Sequence, residues 1–262
     1  MPNPNSPTSY PDVNSVLEYF AQRVRQSLGH HFVGFYCVGS LALGDFDQTR
    51  SDIDFVVVAN TGLDEGAVLD FRAIHAKFAA TESNWAKKTE AIYVSESALR
   101  ESRPPGEFPQ MEKRRTLELA PLEWDWVFHR WTLRERCLAV VGADARPLVP
   151  PIDPDDMKSA AVAMAGDWLE LANNDPTWIA WLSEPRHFSF VIQTLSRMLY
   201  SISTGTVTSK VQAMRWAVEN LDEQWRRLLR KAGTLGHTAE MEEGELEDAV
   251  DLVSYTIDRG RQ

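Results

Sequence analysis

The stretch from Phe32 to Ala59 constrains this chain more than any other. Phe32 to Val38 is a short apolar, β-prone run that stops at Gly39-Ser40, and eleven residues separate Ser40 from Asp52. Asp52-Ile53-Asp54 then opens a second apolar run, which continues to Ala59 and is stopped by Asn60-Thr61-Gly62. Alternate residues of a strand point to one face, so Asp52 and Asp54 project together from one edge. Two carboxylates held that close repel each other unless a cation sits between them. Hard oxygen ligands at that spacing suit Mg²⁺, which keeps several waters and shares itself with nucleotide phosphates. The turn at Gly39 and Ser40 adds backbone N–H groups and a hydroxyl, the donors a triphosphate needs. A bare Asp-x-Asp is commonly no more than a solvated strand end. The Gly-Ser turn, the spacing and the following apolar strand together make the pattern specific.

The flanking sequence predicts an α/β first half. Val13, Val16, Leu17, Phe20, Val24 and Leu28 recur at helical spacing, Leu69 to Ala80 reads as a further helix, and Glu90 to Val94 as a third strand. The first ten residues, with three prolines, read as a flexible arm without the character of a signal peptide. From Gly142 to Pro154 there are four prolines, a linker signal. Beyond it the strand-like runs cease, and Met157–Asn173, His187–Ser203, Ser209–Ala232 and Leu246–Ile257 carry helical spacing. The expected organisation is an α/β domain over 1–152 and an all-α domain over 153–262. The acidic patch from Glu240 to Asp251 reads as a solvated helix face with its preceding loop.

Composition narrows the function classes. No run approaches the ~20 apolar residues of a membrane helix. Cys37 and Cys137 sit singly in apolar segments, which favours buried free thiols and a cytoplasmic location. With 27 basic against 38 acidic side chains the net charge is −11, which argues against a nonspecific grip on nucleic acid and suits a cationic ligand. The basic clusters are limited to Lys113-Arg114-Arg115 and Arg226-Arg227.

The Gly39-Ser40…Ser51-Asp52-Ile53-Asp54 segment resembles the nucleotidyltransferase superfamily with the polymerase-β-like fold. In that superfamily the two acids bind Mg²⁺ and a third carboxylate on a neighbouring strand completes the site. Glu90, which opens its own apolar strand, is the natural third acid here. Leu195-Ser196-Arg197 through Tyr200, then Thr204-Gly205 and Ser209-Lys210, is similar to the aminoglycoside adenylyltransferases that modify streptomycin and spectinomycin. The linker from Val141 to Ile152 is similar to the segment joining that family's two domains.

The resemblance implies a nucleotidyltransferase domain followed by a helical bundle, ATP as co-substrate and a small cationic aminoglycoside as acceptor. It implies Mg²⁺ on Asp52 and Asp54, Glu90 as general base, and Gly39, Ser40, Ser51, Arg197 and Lys210 holding the nucleotide. Trp178 or Trp181, with Asp175 or Glu184, would surround the acceptor between the domains. Pro185-Arg186-His187 departs from the acidic residues the family tends to show there.

Physical reasoning bears on the two cations separately. Lys210 in the first turn of a helix opposes the helix dipole unless an anion is near, and Arg197 in an apolar helix needs an anionic partner. A salt-bridge role fits either residue as well as a phosphate does. The chain is expected to act as a monomer. Two other readings compete: nucleotidylation of a protein or RNA end, and a noncatalytic antitoxin-like module on the same scaffold.

Overall fold

The computed structural model describes residues 6–112, 116–234, 242 and 244–262. The chain divides into two compact units, 1–151 and 152–262.

Among the described residues of the first unit, six strands form one sheet: β1 (Phe32–Cys37), β2 (Ile53–Ala59), β3 (Thr89–Ser95), β4 (Phe108–Met111), β5 (Glu118–Ala120) and β6 (Leu138–Gly142). Their order is β5-β4-β3-β2-β1-β6, and β2 and β3 run parallel while every other neighbouring pair is antiparallel. Helices α1 (Pro11–Leu28), α2 (Gly39–Leu43), α3 (Glu65–Ala79) and α4 (Trp126–Glu135) complete the unit.

Period-two alternation divides the strands' side chains between two faces. Phe35, Cys37, Phe55, Val57, Ala91 and Tyr93 face one core, where they meet Val13, Leu17, Phe20 and Val24 of α1 and Phe71 and Phe78 of α3. Each fully buried aromatic or aliphatic side chain contributes about 1.5–3 kcal/mol relative to exposure, so this layer is the main source of the unit's stability. The other face carries Tyr36, Val56, Val58 and Val94, all buried, and at its edge Asp54 and Glu90, both half-buried.

The sequence expectations need three corrections in this unit. Residues 6–10 are not a loose arm. The Thr8 hydroxyl donates to Asn14 Oδ1 at 2.7 Å, Asn14 Nδ2 donates back to Thr8 O at 2.9 Å, and the Tyr10 hydroxyl donates to Phe46 O at 3.2 Å. Residues 1–5 and the basic cluster 113–115 lie outside the described residues. The segment 108–142 holds strands β4, β5 and β6 and helix α4, none of them expected. β4 carries Pro109, which lacks a ladder donor, and strands of three to five residues give too few alternations to register. Cys37 is buried, but Cys137 is only half-buried, and its sulfur accepts from Ala145 N at 3.3 Å.

The second unit is helical: α5 (Pro154–Asn174), α6 (Pro176–Leu182), α7 (Pro185–Thr204), α8 (Lys210–Asn220), α9 (Glu223–Thr234) and α10 (Glu245–Gly260). α6 was not expected, and the single helix expected over Ser209–Ala232 is two. The break falls at Leu221, which is extended (φ −89°, ψ 162°) and buries its side chain, while Asp222 O accepts from Trp225 N to start α9. The described part of the acidic patch is not a purely solvated face. Glu245 is buried and takes Lys231 Nζ at 2.6 Å, while Arg227 reaches Glu242 and Asp248. Glu240, Met241 and Glu243 lie outside the described residues. Among the described residues no helix is long and apolar enough to cross a membrane.

Candidate active site

The ends of β1, β2 and β3 are tied together where the motif residues stand. Val38 N donates to Asp54 O at 2.9 Å, and Ile53 N donates to Lys88 O at 2.7 Å. The β2–β3 register then sets Asp54 directly beside Glu90 on the neighbouring parallel strand. Residues paired across parallel strands present side chains on the same face, so the two carboxylates share one edge of the sheet. Asp52, half-buried with its Oδ1 shielded from solvent, immediately precedes β2. Of the three acids expected together, the register pairs Asp54 with Glu90, while Asp52 stands one residue before β2.

Gly39 and Ser40 open α2 against this edge. Gly39 has φ +59°, in the left-handed region, and a Cβ added to it would overlap Asp54 Oδ2. Only glycine lets the backbone approach the carboxylate this closely. Gly44, also left-handed at φ +76°, ends the helix with open space around it. Ser40 lies in the first turn of α2, and its carbonyl accepts from Asp45 N at 3.0 Å.

The loop from Asp45 to Ser51 is fastened at both ends. Ser51 Oγ accepts from Asp47 N at 3.0 Å and Ser51 N donates to Asp47 O at 2.7 Å, so Ser51 closes the turn that delivers Asp52. Its hydroxyl proton can still be donated outward. Hydrogen bonds from Thr49 and Arg50 hold the Asp47 carboxyl well below the usual carboxylate range. Asp12, at the start of α1, accepts from Gln48 Nε2 and from Trp85 Nε1, each at 3.0 Å. The rings of Tyr10, Phe46 and Trp85 pack in series at tilted angles beside it, and Lys88 Nζ donates to Thr49 O at 2.8 Å. Sequence reasoning missed Asp12 and Trp85, because a single Asp in a helix's first turn reads only as a favourable charge for the helix dipole.

Beneath the site, burial first and then the nearby Asp54 charge push the Cys37 thiol up to about 12, so it stays protonated and inert. In the core, burial lowers His75 to about 3; its Nε2 lies 2.7 Å from the buried Tyr93 hydroxyl.

The donor chemistry fits a metal in one specific way. Among the described residues no three His, Cys, Asp or Glu side chains form a group that could hold an ion. Mg²⁺ seldom uses such a cage and is bound through one or two carboxylates plus substrate phosphates. Asp52 and Asp54 meet that requirement.

The remaining candidates belong to the second unit. Ser209 Oγ accepts from Gln212 N and so caps α8, which puts Lys210 in the first turn as the sequence predicts. Lys210 Nζ lies 5.4 Å from the ring of Phe190. Phe190 and Arg197 are seven residues apart on α7 and so share a helix face. Trp178 and Trp181, both half-buried on α6, have ring centroids 6.2 Å apart. Trp181 stacks on His187 at 4.2 Å and meets Phe190 edge-on at 6.5 Å. Glu184 pairs with Arg186 at 3.3 Å and has His187 Nδ1 at the same distance, and Asp175 caps α6 through Thr177 N and Thr177 Oγ1. Trp178, Trp181 and Lys210 thus join one aromatic and cationic cluster. Both proposed acids already have local hydrogen-bonding work.

The sheet, the Gly-Ser turn and the three carboxylates define a nucleotidyltransferase domain, and residues 17–123 match the nucleotidyltransferase domain model. Residues 147–259 match the model of the aminoglycoside adenylyltransferase C-terminal domain, so the two family models follow one another along most of the chain. It is similar to the aminoglycoside (3'') (9) adenylyltransferase of Shigella flexneri, at 26% identity over 84% of each chain. It also resembles the spectinomycin 9-adenylyltransferase of Campylobacter jejuni, at 23% identity over 93% of this chain and 92% of that one. The fold matches that of a spectinomycin adenyltransferase from Enterococcus faecialis, solved with ATP and spectinomycin. The TM-score is 0.65 at 19% identity, covering 95% of this chain and 99% of the other.

Proposed function

We propose that this chain transfers AMP from ATP to a hydroxyl of an aminoglycoside-type antibiotic, streptomycin or spectinomycin, with release of pyrophosphate. The observation that carries the reading is the register of Asp54 and Glu90, with Gly39 packed on the Asp54 carboxylate. The substrate class is supported by the second unit's match to the aminoglycoside adenylyltransferase C-terminal domain and by the relatives' names.

The acceptor hydroxyl attacks the α-phosphorus while the bond from that phosphorus to the bridging oxygen of pyrophosphate breaks in line. Glu90 takes the hydroxyl proton as general base. Asp52 and Asp54 would hold Mg²⁺, which would offset the charge that builds on the phosphoryl oxygens and on the departing pyrophosphate. Gly39 and Ser40 offer backbone N–H groups and a hydroxyl, Ser51 a further hydroxyl, and Arg197 and Lys210 cations for the phosphates. Trp178 and Trp181 supply flat apolar surface for the acceptor's rings, and Glu184 a negative charge for its ammonium groups. A net charge of −11 steers a polycation inward, an effect that weakens with salt. The chain would act as a monomer, with cytoplasmic ATP and Mg²⁺ supplying the reaction.

The test is pyrophosphate release from Mg-ATP with streptomycin, spectinomycin and kanamycin, with Glu90→Gln as control. Release with streptomycin or spectinomycin, lost in the variant, is the expected result. No release with any of them, while Mg-ATP still binds, would overturn the acceptor assignment.

A further inference from the structure

We infer that the first unit carries a second ligand site, for an organic cation with an apolar body, at the end of the sheet opposite the carboxylates. β2 and β3 are parallel, so Asp54 and Glu90 mark their amino ends and the carboxyl ends lie together about 17 Å away, at ~3.3 Å per residue. The carboxyl ends of neighbouring parallel strands are where α/β sheets open crevices for ligands. A cavity of about 660 Å³ lies there, within the size range of small-molecule sites, between the start of α3 and the chain leaving β3.

Its lining states the chemistry of the occupant. Val68 and Pro109 are buried in the wall. Leu69 and Leu119 also line it, and at 55% and 43% exposure they are among the most exposed large apolar side chains of the described residues. Two leucines left to solvent around one cavity favour an apolar ligand surface. Glu65, Glu101 and Glu107 bring three carboxylates to the same cavity. Among the described lining residues the one cation is Arg72, whose Nε donates to Leu117 O at 3.1 Å. The start of α3 does not favour an anion either, because the Asp64 side chain already accepts from Ala67 N there at 2.8 Å. A hydrophilic polycation would leave the leucines wet. An ammonium group on an aromatic or alkyl body satisfies both the carboxylates and the leucines.

The probes are phenethylammonium, neutral 2-phenylethanol and anionic 3-phenylpropionate, titrated into the whole chain by calorimetry and ligand-observed NMR. Saturable binding of the ammonium is expected. It should exceed the alcohol by about fivefold for each carboxylate engaged at 4 Å in a water-like dielectric, with the propionate weakest. Leu69→Arg, which sets a cation on the exposed position, should weaken the ammonium by about tenfold or more. Glu101→Gln with Glu107→Gln should bring the ammonium-to-alcohol ratio toward one. Asp54→Asn, at the far end of β2, should leave the binding unchanged. No saturation by about 20 mM, equal affinity in Leu69→Arg, a propionate as tight as the ammonium, or loss of binding in Asp54→Asn would each overturn the site. Should Leu69→Arg fail to fold, the double glutamine variant decides, because both its positions are solvent-exposed.

Discussion

Replacing Gly39 with alanine separates the strain of a left-handed backbone from the close approach that the site needs. A non-glycine residue in the left-handed region costs about 1–2 kcal/mol, and alanine recovers about 0.4–1 kcal/mol by restricting the unfolded chain. The net cost of the backbone alone is therefore about 1 kcal/mol. Gly44 supplies the control, since its φ of +76° carries the same strain while nothing lies within 4 Å of an added Cβ. At Gly39 the added Cβ would overlap Asp54 Oδ2 and sit 2.9 Å from Asp54 Cγ and 3.3 Å from Asp54 Cβ. The obstacle is a side chain, which swings away at little cost to folding but leaves the place its chemistry requires. A displacement of about 1 Å at a reacting centre lowers turnover by roughly 100-fold. Urea unfolding should show both variants about 1 kcal/mol less stable than the parent. Pyrophosphate release with streptomycin or spectinomycin should fall about 100-fold in Gly39→Ala and less than threefold in Gly44→Ala. Near-parental turnover in Gly39→Ala, or an equal loss in Gly44→Ala, would refute the argument that contact with Asp54 fixes this glycine.

Asp54→Asn should lower turnover by about 100-fold or more while the urea midpoint changes little, because a half-exposed strand-edge acid contributes little to the core; retained activity would remove the metal assignment. Asp12→Ala frees Gln48 and Trp85, and should cost about 1–3 kcal/mol and raise KM for ATP more than it lowers kcat, as steady-state kinetics would show. His75 has a folded-state pKa depressed from 6.5 to about 3, so the unfolded state binds the proton first and stability drains away as pH falls below 6.5. That one group should cost about 2 kcal/mol between pH 7.5 and pH 5. His75→Gln, which keeps a polar partner for the Tyr93 hydroxyl, should flatten that part of the slope in paired urea titrations.

The sequence made the Asp54–Glu90 end of the sheet legible because polar motif residues and apolar periodicity coincide there. Strands β1, β2 and β3 each carry enough alternating apolar residues to be seen, and Gly39, Asp52, Asp54 and Glu90 sit at their ends. What escaped notice was either short or long-range. β4 and β5 have four and three residues and include Pro109, so local pattern is silent about them and only the pairing of β4 with β3 and of β5 with β4 makes them strands. The break between α8 and α9 depends on Leu221 turning into the core, a tertiary choice made within a continuous helical pattern. Asp12 binds groups 36 and 73 residues away, and no spacing rule connects them. Glu184 pairs with Arg186 two residues on, a local contact that the spacing of the two charges makes legible.

In β2 the core and the candidate site are written in the same seven residues, one letter apart: Phe55 and Val57 look toward α1 and α3, Asp54 toward the opposite face. Gaining or losing a single residue inside that strand would exchange the two roles at once, burying a carboxylate and exposing a phenylalanine. The loop between Leu43 and Ser51 carries no such double meaning. Insertions and deletions among divergent relatives should therefore collect in that loop and stop at Asp52, leaving the strand uniform in length however far the rest of the sequence drifts.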